Sequence, residues 1–531
     1  MSEKKMSFIK VPVTRRQFLK ASTAASAGLM LSQGIWPKTS WSAQGNILKY
    51  RMTGEVRNFD TAFGGTDDDA ILYQCIYAKL TVFKPGMKWG WQLEDAASIE
   101  EVSPTEVKFD LRPGIMFTGG FGELTSEDVK FSFERVADPK TKSPMAGDWA
   151  RLDHVKTTGK YSGVIVLKDR FQPMWLTTLP YISGQILSKK AMISIGGKMK
   201  GLPPCYSGPY VIKDWKPKQH IILVRNELWK GPQPDFDEIH MLFIDDDKTA
   251  ERGFEAGDID FTRISSSSLE KYKNNPPPKS TIKKYPSLFY TWLGMNMDHP
   301  KLKDIRVRKA IQMATDVPSI LDAAYFGASQ PATGIIPPGL PGYREKTIVP
   351  MEANIEGAKK LLAEAGHPDG ISLTLDVLNQ TTYVTAAQVI QATLAQAGIQ
   401  VEIGIHETGA FWALGFESEG DSWKNLQLVL NSYSSLPEPY WYTAWFTKEQ
   451  VGVWNWERFN NDEFNELHEK AVVEPDPDKR NKMYIRMQDL MEESGAYRFI
   501  TNAAHPYMYR NSIIPAQAPG GLPLLRYFKK A

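Results

Sequence analysis

The 531-residue chain lacks most of the marks by which catalysts, zinc proteins and membrane proteins are told from sequence. Its eight histidines are scattered singly, with no H-x-x-x-H and no Cys/His cluster, so a structural zinc site is excluded. There is no G-x-S-x-G elbow, no G-x-x-x-x-G-K-[ST] phosphate loop and no H-E-x-x-H. No nucleophile–base pair can be proposed, and the chain does not read as an enzyme. Apolar runs of membrane-spanning length are absent as well. Cysteine is limited to Cys75 and Cys205, which either pair in an oxidising compartment or stay apart. What remains is length for two or three domains with real cores, and a large supply of aromatic side chains.

The N-terminus has a clear pattern. Thr14 to Lys20 reads T-R-R-Q-F-L-K. Behind it come a weakly apolar stretch rich in Ala, Ser and Gly (21–35) and a small-residue region (39–43). Basic region, apolar region and cleavage region in that order resemble a twin-arginine export signal, with cleavage after Ser42 or Ala43. The apolar stretch is too short and too polar to remain as a membrane span. No cysteine lies near the cleavage region, so the exported protein is not a lipoprotein. Residues 1–43 carry seven Lys/Arg and one Glu, and their removal takes the net charge from +2 to −4. A mildly acidic chain lacks the basic footprint of a nucleic-acid binder.

Periodicity predicts strands over 46–53, 107–111, 209–215, 221–225 and 238–244, and helices over 70–80, 127–136 and 248–256. The second half has a steadier α/β rhythm. Helices are predicted over 304–315, from Asn354 to Gly366 with Leu361 and Leu362 buried, over 384–397, 462–473 and 478–493. Strands at 371–378 and 399–406 flank the 384–397 helix, which implies parallel pairing with a right-handed crossover. Asp67-Asp68-Asp69 suits a solvated loop or helix start better than a metal, since successive carboxylates point different ways. Ser265 to Ser268 reads as a capped loop before a helix at Leu269.

Several separated segments resemble the extracellular solute-binding proteins of ABC importers, in the oligopeptide, dipeptide and nickel family (family 5). They include V-K-F-D-L-R-P-G-I-M-F (107–117), L-T-S-E-D-V-K-F-S-F-E-R (124–135), S-G-P-Y (207–210) and V-R-N-E-L-W-K-G (224–231). E-A-G-D-I-D (255–260), L-G-M-N (293–296), D-I-R-V-R-K-A-I (304–311) and A-K-K-L-L-A-E-A-G (358–366) continue the series, in order along the mature chain. Most of these residues are scaffold. The resemblance implies a two-lobed α/β periplasmic binding protein fold of the class II, cluster C type, with a subdomain inserted in the first lobe. Lobe I is then 44–288 completed by 507–531, with the insertion at about 84–200, and lobe II is 289–506. Chain crossings are expected near 289–296 and 505–509. The function implied is capture of a peptide or peptide-like solute between the lobes, with no cofactor, and delivery by a monomer to ABC permease and ATPase subunits. A sensor or chaperone role on the same fold is the alternative of another class.

In peptide-binding relatives an Asp three residues before an acidic-Pro pair holds the peptide amine. Here Glu438-Pro439 supplies the pair and the residue three back is Ser435, a neutral hydroxyl that cannot make a charge-assisted bond to an ammonium. The region is crowded with rings: Tyr433, Tyr440, Trp441, Tyr442, Trp445, Phe446, Trp454, Trp456 and Phe459. Burying all of them is implausible, and exposed faces suit a sugar, a cation or aromatic peptide side chains. Phe289, Tyr290 and Trp292 flank the first crossing, and Trp412 matches a pocket tryptophan of the family. The candidate solute contacts are therefore Asp67, Tyr290, Trp292, Trp412, Asn431, Tyr433, Ser435, Glu438, Tyr442 and Trp445, with a cationic or glycosidic solute as the alternative cargo.

Overall fold

The computed structural model describes residues 46–56 and 58–531, so the expected twin-arginine signal lies outside the described residues. An eleven-stranded mixed sheet runs through the molecule. Its first side is built from Tyr210–Lys216, His220–Arg225, Glu238–Phe243, Ile47–Met52 and Phe261–Arg263. Its second side is built from Leu428–Ser434, Ile371–Leu378 and Ile399–His406, and the two-residue strand Gln330–Pro331 pairs with Tyr497–Arg510 as the eleventh. Two long strands, Ser280–Met295 and Tyr497–Arg510, pair antiparallel in the middle and belong to both sides. At one end Phe261 faces Tyr509, and at the other Phe289 faces Ser434. Their mutual register breaks between Pro286 and Tyr290, where a proline has no N–H to offer the ladder.

Each side has its own core. Leu48, Tyr50, Ile71, Leu223, Met241 and Phe261 gather in the first. Leu293, Ile311, Leu373, Leu375, Ile390 and Ile399 gather in the second. The strand Ile371–Leu378 alternates buried and open positions as a one-sided pattern requires, and pairs parallel with Ile399–His406 across the helix Thr381–Gln396. Asn354 caps the helix Ile355–Glu364 by accepting from the Gly357 amide at 2.8 Å; Leu362 is buried and Leu361 only partly so. The helix Asp247–Ala256 stops at Gly257, whose φ of 88° is open to glycine but strained for other residues.

A third core fills the segment between the first strand and Tyr210. A four-stranded antiparallel sheet of Ala96–Ser103, Glu106–Leu111, Ser162–Leu167 and Leu152–Thr157 is covered by the helix Ser126–Ala137. Thr125 and Asp128 close a capping box at that helix start. Two details differ from expectation. The helix predicted over 70–80 spans Asp67–Ile76, because Thr66 and Asp69 cap it early and Ala78–Lys79 pairs with Gln185–Ile186 as a strand. Cys75 and Cys205 are separate buried thiols, and Cys75 donates to the Ile71 carbonyl at 3.4 Å. The helix expected from Leu269 begins at Ser266, and Ser265 makes no side-chain cap; instead the Ser265 and Ser268 hydroxyls donate to Glu251.

Candidate functional site

The crossing strand and its neighbour place the candidate residues by register. Tyr290 stands opposite Tyr433 and Trp292 opposite Asn431. Tyr290 stacks on Trp292 at 5.3 Å, and Tyr433 meets Trp292 edge-on at 4.8 Å. Tyr442 packs on Tyr290 at 5.2 Å and donates its hydroxyl to the Leu288 carbonyl at 3.1 Å. Tyr290, Trp292, Asn431 and Tyr442 are at most 1% exposed, so they form the backing of the site rather than its face.

The face is made by three half-buried tryptophans. Trp412 lies nearly parallel to Tyr433 at 6.1 Å, and Trp454 meets Trp412 at 6.0 Å and Tyr433 at 5.8 Å, both edge-on. Trp445 extends the wall, 5.5 Å from Trp454. The Tyr433 hydroxyl donates to the Trp454 carbonyl at 2.8 Å, which holds the wall to its backing. Nine of the ten candidate residues thus fall on one strand pair and the segments that follow or cover it. Asp67 stands in the first lobe, exposed, accepting from the Tyr181 hydroxyl at 2.7 Å.

The polar atoms of this region divide into spent and unspent. Asn431 donates to the Tyr433 hydroxyl at 3.3 Å and accepts from the Ser432 amide at 2.9 Å. Glu438 is fully buried: it caps the short helix Pro439–Thr443 through the Tyr440 amide at 3.1 Å and pairs with both terminal nitrogens of Arg480. Its charge is therefore balanced inside the protein and cannot serve an ammonium group. Glu457, also fully buried, accepts from Trp292 Nε1 at 2.7 Å, and burial pushes its carboxyl up to about 7. Ser435 Oγ and Trp445 Nε1 are unspent, buried without a partner, as are Tyr290 Oη, Tyr497 Oη and the second Glu457 oxygen in the backing behind them. Arg480 and Trp454 were not among the sequence candidates. A salt bridge across 42 positions leaves no periodic signal, whereas Trp454 was visible as one ring in the crowd.

Among the described residues no group of His, Cys, Asp and Glu could hold a metal. A hydroxyl–imidazole contact, Thr443 with His468 at 2.8 Å, is sealed from solvent, and burial pushes the imidazole down to about 4. A separate concavity of about 430 Å³ in the first lobe is lined by Arg112, Trp229, Lys230 and Tyr527. Its Arg526 is spent on Glu94 at 2.5 Å and the Gln74 carbonyl at 3.1 Å.

Two α/β lobes sharing a crossed strand pair, with an aromatic wall beside the crossing, define a class of solute-binding protein. Residues 95–452 match the model of bacterial extracellular solute-binding proteins, family 5 (middle), and the chain belongs to that family. It is 24% identical over 391 residues to the glutathione-binding protein GsiB of Escherichia coli (strain K12), covering 72% of this chain and 74% of that one. Among solved structures, HbpA2 from Haemophilus parasuis superposes with a TM-score of 0.82 at 22% identity, covering 92% of this chain and all of the other. The periplasmic binding protein DppA from Helicobacter pylori, in complex with the peptide STSA, superposes with a TM-score of 0.71 at 23% identity, covering 91% and 98%.

Proposed function

We propose that this protein is the periplasmic receptor of an ABC importer, which captures a peptide-like solute between its lobes and passes it to a membrane permease driven by an ATPase. The observation that carries the reading is the wall of Trp412, Trp445 and Trp454 beside the strand crossing. Family membership and the peptide and glutathione named for its relatives point the same way. Lobe I is then 44–288 with 507–531, including an insertion at about 84–200, and lobe II is 289–506, hinged where the crossing strands lose register. The chain is a monomer and needs no cofactor. Among the described residues no helix is long and apolar enough to cross a membrane.

The loop after Ser434 favours a particular form of solute. Its one carboxylate is consumed by Arg480, and Trp445 offers an N–H, which only an acceptor can use. The end of the solute that meets this loop is accordingly a carbonyl, hydroxyl or carboxylate rather than an ammonium. A thermal-shift screen of peptides with free and N-acetylated termini, betaines, polyamines and oligosaccharides tests both statements, since a ligand of the folded state alone raises the midpoint. Midpoint increases confined to peptides with blocked termini or to hydroxyl-rich solutes are expected. Preference for free-amine peptides would refute the loop reading, and a silent panel would refute the receptor reading.

Export by the twin-arginine route belongs to the same proposal. Replacing Arg15 and Arg16 by Lys should leave the protein in the cytoplasmic fraction. Export undiminished in that variant would remove the twin-arginine assignment.

A further inference from the structure

The two lobes touch at a place that the solute wall does not explain. Tyr440 and Trp441 follow the solute loop on the short helix Pro439–Thr443 of the second lobe, yet both pack against the core of the inserted sheet segment. Trp441 Nε1 donates to Thr177 Oγ1 at 3.5 Å. A Cβ on Gly147 would lie 3.9 Å from the tip of the Trp441 ring. Tyr440 meets Phe171 edge-on at 6.1 Å, and Val472, from the helix Asp462–Val473, joins the same core. A second contact lies at the tip of the Thr81–Phe83 and Trp91–Leu93 hairpin, where the Trp89 amide donates to the Gly339 carbonyl at 3.2 Å. Both contacts run from the 84–177 stretch to the second lobe, bypassing the strand crossing.

We propose that the inserted segment is a clasp and that Trp441 is its latch, a positioning residue that sets how readily the lobes close without touching the solute. The latch is of a kind that can open: its tryptophan is half-buried, its side-chain hydrogen bond is long, and the neighbouring Tyr440 meets Phe171 only edge-on. It is also wired to the site. Glu438 caps the helix at one end, three residues after Ser435, and near the other end Tyr442 binds the Leu288 carbonyl beside the register break. One helical turn therefore carries the solute loop, the latch and a hinge contact. A solute that reorders the loop shifts the latch, and a latch already engaged lowers the cost of closing on the solute.

The proposal takes the solute-gripping role of the lobes from the reading above, but its test uses no solute. Small-angle scattering and amide exchange are measured on the solute-free chain as wild type, Trp441→Ala and Gly147→Leu. The last variant wedges the contact from the opposite wall at an exposed position. A larger radius of gyration in both variants is expected. Exchange should rise about tenfold or more across Ala146–Trp149 and Gln172–Trp175, with Ile371–Leu378 unchanged. An unchanged radius in both variants would overturn the latch. So would expansion accompanied by faster exchange in Ile371–Leu378, which would make Trp441 a general packing residue. A silent solute panel would count against the receptor reading alone and leave this result standing.

Discussion

Glu457 is the residue at which packing and chemistry conflict most openly. It lies among Trp292, Tyr433, Tyr290 and Tyr497, with one oxygen bonded to Trp292 and the other unpartnered. Even the neighbouring backbone is cut to fit it: a Cβ on Gly294 would come within 2.0 Å of Glu457 Oε1, so only glycine leaves room there. Burial raises the carboxyl from 4.5 to about 7, so the folded protein holds this proton more tightly than the unfolded chain does. The stability it contributes is complete below about pH 4.5 and is lost as pH rises through about 7. Glu457→Gln should therefore stabilise the protein at pH 8 by about 3 kcal/mol relative to wild type, an advantage that disappears near pH 4. Denaturant melts of both proteins across pH 4–8 check this, and parallel pH profiles would refute it. Asp68 and Asp148, each raised to about 6 by burial, contribute slope with the same sign, which is why the difference between variant and wild type is the quantity to read.

At the scale of elements, caps and periodicity were legible and partnership was not. Asn354, Gly257 and Thr125 mark their helix boundaries in the sequence, because a cap acts within three residues of itself. The alternation of Ile371–Leu378 shows its buried face for the same local reason. The helix expected to reach residue 80 stops at Ile76 because Gln185–Ile186, over a hundred positions away, takes Ala78–Lys79 as a strand partner. The strands Leu152–Thr157 and Ser162–Leu167 escaped notice, as did the helix Val317–Tyr325. The first strand has only two buried positions and reads as polar loop without the sheet it joins. The ring crowd was visible as composition, but its division into a buried backing and a half-exposed face follows from the register of Ser280–Met295 on Leu428–Ser434. Glu438 is legible as a candidate solute contact, but its pairing with Arg480, 42 positions away, is not.

Across the whole molecule, the crossed strands make two bodies of one sheet, and the inserted segment reaches round them. The break in pairing from Pro286 to Tyr290 lies where bending costs fewest ladder hydrogen bonds. On the proposed reading, closing such a molecule on a solute buries the ring faces of Trp412, Trp445 and Trp454, which are half-open in the structure, beside the unpartnered Ser435 hydroxyl and Trp445 indole N–H. The most direct test is a calorimetric titration of the strongest solute from the panel into wild type and Trp454→Ala, with scattering recorded at the same saturations. The account predicts one saturable site, a contraction of the wild-type chain on filling it, and at least a tenfold weaker affinity in a still-folded Trp454→Ala. Binding that leaves the dimensions of the chain unaltered, or that survives the loss of Trp454 undiminished, would contradict it.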